Sequence, residues 1–308
     1  MPTRRWPKLA LLHKIETTYR TDAAPLAADA IIATNVSMTP FEAEEVSRDL
    51  MLPYMGNQGI VLAGVHARLE FEVEIAGAGA AGTVPRYGSL LRVCGMAEVV
   101  TAGTGVEYAI VEDDVDSGTL YFNSDGVRHV ILGARGNVQL TFTPKQIPKY
   151  RFSITGMLGT ITDAAMPAVT MAGWITPLIV SDANTDMTLH GWASVAESLQ
   201  IDLGNTVTPR FLIGDEKVII SDRRTTGTAV VEGRSIAEID WFARALARTR
   251  GALGLTHGTV AGNIVEVTGP ALEIGRPTQG QTDNIINYSI PLSFCPVTGR
   301  DELSITVR

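Results

Sequence analysis

The stretch EFEVEIAGAGAAGTVP, residues 70–85, holds glycines at 77, 79 and 82 in the spacing G-x-G-x-x-G. In a dinucleotide-binding turn, glycines so spaced let the backbone approach a pyrophosphate at the N-terminus of a helix. The neighbouring residues argue against that chemistry. Upstream, Val65, Ala67, Leu69, Phe71, Val73 and Ile75 alternate with His66, Arg68, Glu70, Glu72 and Glu74. Such a strand buries one face and wets the other, whereas the first strand of a dinucleotide fold is buried on both. Downstream, Thr83, Val84 and Pro85 follow the last glycine, and the residue before a proline disfavours helix. The segment reads as a flexible strand-to-helix connection.

Other reactive side chains are scattered. The five histidines (His13, His66, His129, His190 and His257) form no H-E-x-x-H spacing. Cys94 and Cys295 lie far apart, and there is no C-x-x-C pair. A hydrolase needs a nucleophile with a base, and no G-x-S-x-G occurs. Asp113 and Asp114 fall in VEDDVDSG, which reads as a solvated acidic loop without a full calcium ligand set. The expectation is no catalytic residue, no metal and no cofactor. A binding or adhesion module would need exposed aromatic platforms, but aromatics are 6% of the chain and mostly fall on core faces.

The chain has 308 residues, 45% of them hydrophobic and 19% charged, a globular composition that suits two domains. Its formal net charge of −8 opposes an extended grip on nucleic acid. The apolar stretch near the N-terminus, Leu9 to Leu12, is too short for a signal peptide. The most apolar window, Met166 to Val180, contains two prolines and is shorter than a membrane span. The reading is a soluble protein made in a cytoplasm, with no membrane partner.

Antiparallel strands account for most of the remainder. Tyr87, Leu90, Leu91 and Cys94 predict a short helix, begun near Pro85 or Arg86 and stopped by Gly95. GTLYF and VRHVIL flank NSDG at 123–126, a hairpin signal. Further alternating segments follow at 138–143 and 150–155. After a Thr-, Pro- and Ala-rich stretch the pattern returns. A second helix is expected in SIAEIDWFARALARTRG, with Ser235 and Glu238 as a capping box and Ile239, Phe242, Ala243 and Leu246 on its apolar face. Each half therefore reads as strand, long excursion, strand, short helix and meander. The expected fold is mainly β, with two tandem β-sandwich domains at 1–160 and 189–308 and a linker at 161–188.

Four stretches together resemble the major tail tube proteins of long-tailed, non-contractile bacteriophages, in a duplicated form. They are LLHKIETTYRTDAAP, EEVSRDLMLPYMGNQGIVLAGVHARLEFEVEIAG, PRYGSLLRVCGM and YFNSDGVRHVILGARGNVQLTFTPKQIPKYRFSITGM. They cover most of residues 9 to 158; the second half is similar in element order. The resemblance implies a non-enzymatic virion protein, assembled in the host cytoplasm, that stacks with itself as rings into a hollow tube. Single-domain members form rings of six, so a duplicated chain implies three per ring. Implied partners are tail terminator and tail-tip proteins, with the tape measure protein and viral DNA in the bore, the DNA held without sequence-specific binding. The resemblance places Glu70, Glu72 and Glu74 on the bore. It also sends the excursion at 44–64, with Arg48, Asp49, Leu52, Pro53, Tyr54 and Met55, to the next ring. That excursion is too apolar for a free loop, which leaves burial in its own domain or against another subunit.

Overall fold

The computed structural model describes residues 3–308. Alternation fixes its strands. Ala67, Leu69, Phe71, Val73 and Ile75 are all buried, and the charged residues between them point the other way. In chain order the first half contains β1 (Leu9–Ile15), β2 (Ala30–Ile31), β3 (Thr34–Ser47), β4 (Ile60–Glu74), α1 (Gly88–Val93), β5 (Met96–Thr101), β6 (Gly105–Ile110), β7 (Gly118–Ser124), β8 (Val127–Phe142) and β9 (Lys149–Asp163). The second half contains β10 (Thr185–Leu189), β11 (Trp192–Ala193), β12 (Ala196–Asp202), β13 (Asn205–Leu212), β14 (Asp215–Arg223), β15 (Thr226–Glu232), α2 (Trp241–Leu246), β16 (Gly251–His257), β17 (Val265–Ile274), β18 (Thr278–Thr282), β19 (Ile285–Phe294) and β20 (Ser304–Val307). The fold is mainly β, as the sequence pattern implies.

One antiparallel run, β3-β4-β9-β8-β12-β15-β19-β18, crosses from the first half into the second. The crossing is the β8–β12 pair, in which Phe142, Thr141, Leu140 and Gln139 oppose Leu199, Gln200, Ile201 and Asp202. A second run, β5-β6-β20-β17-β16-β10-β11, also joins the halves, because C-terminal β20 lies between β6 and β17. The main hydrophobic cluster draws on both halves: Leu69, Phe71, Tyr150 and Phe152 share it with Ile201, Val231, Ile290 and Ile305. Each such side chain, fully buried, contributes about 1.5–3 kcal/mol.

Local details follow from local chemistry. Asp125 and Gly126, both at positive φ, close the β7–β8 hairpin. A turn from Pro85 leads into α1, which buries Leu90, Leu91 and Val93 and ends at Gly95 (φ 82°). In α2 the expected capping box does not form. The Ser235 carbonyl accepts the N–H groups of Glu238 and Ile239 in a separate turn, and the Glu238 carboxylate accepts Trp192 Nε1–H at 3.0 Å. The helix is capped instead by Asp240, whose carboxylate accepts the Ala243 N–H at 2.8 Å. It is only one and a half turns long, so its buried face is led by Trp241, while Phe242 and Leu246 stay exposed.

Candidate assembly surface

The face of β4 turned away from the core carries Arg68, Glu70, Glu72 and Glu74, and the β4–β9 register sets cations beside them. Arg151 and Arg68 donate to Glu70 at 2.9 and 2.8 Å. Lys149 and Asn35 donate to Glu72 at 2.9 and 2.7 Å. The Glu70 carboxyl is held below its usual range, chiefly by the Arg151 hydrogen bond and further by Arg68. At Glu72, partial burial pushes the carboxyl up, but the bonds from Lys149 and Asn35 together with charge outweigh it and the net shift is down. Three carboxylates thus share a face with Arg68, Lys149 and Arg151. The pairing was not legible from alternation alone, since it depends on which strand lies next to β4. At the β8–β12 crossing the same face has Asn137 and Gln139 donating to Asp202, both at 2.7 Å. Beyond it, Gln200, Thr226, Thr228, Ser289 and Ser293 continue the surface with uncharged polar groups.

Two hairpin arms leave this sheet. The first is the distal part of β3 and β4, paired from Glu44↔Ala63 to Ser47↔Ile60 and closed by residues 48–59. It is a projecting hairpin where the sequence shows no sustained period, and it is not buried against its own body. Met51 and Met55 are each 100% exposed; Leu50, Leu52, Tyr54, Ile60, Val61 and Leu62 are exposed as well. Arg48, Asp49, Leu52, Pro53, Tyr54 and Met55 all lie in the closing loop. There Asp49 accepts the Ser47 hydroxyl at 2.5 Å, and the Gln58 side chain pairs with both backbone groups of Leu50. An uncovered apolar patch of this kind marks an interaction surface.

The second arm, β13–β14, is a two-stranded hairpin closed by Ile213 and Gly214. It is the long excursion expected in the second half, folded back on itself as a hairpin at Ile213-Gly214 between two apolar runs. It is seated on the first half. Val218 is fully buried; its N–H donates to the Tyr19 hydroxyl at 2.6 Å and its carbonyl accepts Arg135 at 2.8 Å. Phe211 lies over Gly64 and next to His66, with ring centroids 6.0 Å apart. Asn205 donates to the Cys94 and Gly136 carbonyls at 2.6 and 3.0 Å. At the arm's base, Arg223 and Glu302 form a largely buried ion pair at 2.9 Å.

The glycine run is also explained by contact between the halves. The Gly77 N–H donates to Asn263 Oδ1 at 2.7 Å and the Gly79 N–H to the Gly262 carbonyl at 2.8 Å. A Cβ at position 77 would sit 2.2 Å from that carbonyl oxygen. Glycine is required there for close backbone approach. The histidines are dispersed: His13 pairs with Ser89, His66 with Glu42 and His257 with Thr185. Glu112 and Asp113 of the acidic loop are tied to Arg300. Among the described residues, no group of three or more His, Cys, Asp or Glu is placed to hold a metal ion, and no helix is long and apolar enough to cross a membrane.

A family model described as "Phage tail tube protein" matches residues 7–294, which includes nearly all of both halves. No curated protein matches the chain.

Proposed function

This chain belongs to the phage tail tube protein family, a structural component of the virion's tail, and from that premise we propose how it builds the tube. Three chains form a ring with pseudo-sixfold symmetry, and rings stack into a hollow conduit for viral DNA. Assembly takes place in the host cytoplasm. Tail terminator and tail-tip proteins close the ends, and the tape measure protein occupies the bore before the DNA does. The observation that carries this reading is the run from β3 to β18. It has one polar face, one core face and, among the described residues, two unpaired edges. Each edge offers a row of free N–H and C=O groups, and closure into a barrel is the arrangement that removes both.

The polar face supports the bore assignment. Glu70, Glu72 and Glu74 would line it together with Arg68, Lys149 and Arg151. Cations that gripped phosphate would release its counterions and hold the DNA. Here Arg68, Lys149 and Arg151 each bond to Glu70 or Glu72, so DNA passes without being retained.

Purified protein is expected to form tubes or rings in negative-stain micrographs, and ring-sized species in native mass spectra are expected to hold three chains. Dispersed single chains at every concentration would contradict the reading and favour a β-rich binding module.

A further inference from the structure

The chain contains an internal version of a subunit contact, and it can be transposed to the free edges. Tyr150 on β9 packs against Tyr87 at the start of α1, with centroids 5.0 Å apart. Tyr288 on β19 packs against Phe242 at the start of α2, 5.5 Å apart. Placing Tyr288 on Tyr150 sets Glu232 on Glu74 through the paired neighbours. It also sets the break between β12 and β13 on the irregularity between Thr39 and Glu42 of β3. That second coincidence is independent of the tyrosines. On this alignment β3 corresponds to β12, β18 to the end of β8, and the β3–β4 arm to the β13–β14 arm.

We propose that neighbouring chains join by repeating the β8–β12 crossing: β18 of one copy pairs antiparallel with β3 of the next. The internal register Gln139↔Asp202, Leu140↔Ile201, Thr141↔Gln200 becomes Thr278↔Thr39, Gln279↔Met38, Gly280↔Ser37 between copies. The stem of the next copy's β3–β4 arm then lies over the first copy's second half, as β13–β14 lies over the first half within one chain. This inference rests on the ring reading and names the surfaces that make the ring.

The partner is a second copy of this chain for three reasons. First, among the described residues β18 is paired on one side only and exposed along its length, and β3 is likewise paired only with β4. Second, the two edges differ from each other, so joining them is head-to-tail, the contact from which rings are built, and not a two-fold dimer. Third, the uncovered surfaces suit each other. In the internal contact Ile220 reaches Gly95 at the end of α1; the end of α2 carries Leu246, 87% exposed, beside Arg248 and Arg250, which share the single carboxylate of Glu273 and leave one positive charge over. The bare arm brings apolar Val46, Val61 and Leu62 with exposed Glu44 and Glu45.

The test is a cysteine pair. In a Cys295→Ser background (Cys94 is buried), Thr39→Cys with Thr278→Cys places the two thiols directly opposite. Opposed Cβ atoms lie about 4.5–5.5 Å apart, close enough for a disulfide after small adjustment. Oxidised assemblies are expected to run as covalent trimers on non-reducing gels. Either single variant should run as monomer, and so should Thr39→Cys with Gln279→Cys, whose side chains face opposite sides. In the unaltered protein, amide hydrogens of residues 278–282 should exchange at least about tenfold more slowly after assembly. Tubes that form with these amides unprotected, or that cross-link only through the shifted pair, would overturn the proposed junction and leave the tube reading standing. Failure of the unaltered protein to form rings or tubes would remove both.

Discussion

Replacing Met51–Ile60 with a short Gly/Ser linker leaves the sandwich folded and abolishes tube growth. None of the replaced residues belongs to the hydrophobic core, and all but Gln58 are exposed. Surface changes away from packed features usually stay within about 0.5 kcal/mol. The stem of this arm has a counterpart in β13–β14, but most of residues 48–59 do not, because the second arm stays paired to Leu212↔Asp215 and closes on Ile213 and Gly214 alone. The added tip is therefore the part free to meet the next ring. Burying a Met or Leu side chain there gains about 1.5–3 kcal/mol, which offsets about 1–2 kcal/mol for each backbone residue that becomes ordered. Removing the apolar tip leaves only the ordering cost. Circular dichroism reports the fold, and sedimentation with negative-stain microscopy reports assembly. Normal tubes from the folded variant would show that the tip is dispensable; an unfolded variant would place these residues in the chain's own stability.

Lowering the pH from 6.5 to 4.5 destabilises the protein, with His13 as a main contributor. His13 is buried beside α1, its Nδ1 2.9 Å from the Ser89 hydroxyl and its Nε2 without a partner. Burial first, and the Arg92 charge second, push its pKa down to about 3. The folded protein therefore holds it neutral, while the unfolded chain takes up a proton near pH 6.5. The stability it contributes is fully present above about pH 6.5 and is lost as pH falls toward about 3. At roughly 1.4 kcal/mol per pH unit below the unfolded pKa, and with the unfolded histidine already half protonated at pH 6.5, the fall to pH 4.5 costs about 2.3 kcal/mol. His129, His190 and His257 are also pushed down, mainly by burial, and act in the same direction. The lowered carboxyls of Glu70 and Glu72 lose their contribution only in stronger acid. Urea midpoints between pH 7 and 4.5 measure the slope, and His13→Gln should reduce it. A flat profile, or one unchanged by that substitution, would contradict the assignment.

What sequence could reveal divides along contact range. Alternation in β4 identified Leu69, Phe71, Val73 and Ile75 as core residues, and all are buried. The Asp125-Gly126 turn and the Gly95 helix stop depend on backbone conformations that these residues favour locally. The nucleotide reading of the glycine run was rejected on local grounds as well. Its real partners, Gly262 and Asn263, lie more than 180 residues away and leave no mark in the flanking sequence. The α2 cap was misread because Glu238 is drawn off by Trp192, a tertiary contact. The charge balance of the polar face needed the β4–β9 register, which sets Lys149 opposite Glu74 and Arg151 opposite Glu72. The β8–β12 crossing, on which the assembly argument depends, is likewise a pairing between distant segments.

A density map of the assembled tube at side-chain resolution tests the central claim most directly. The account predicts three chains in each ring, with the β3-to-β18 runs joined edge to edge around the bore. Glu70, Glu72 and Glu74 point inward, and the tip at 48–59 contacts the next ring. Six full-length chains per ring, or the polar face of β4 turned outward, would contradict it.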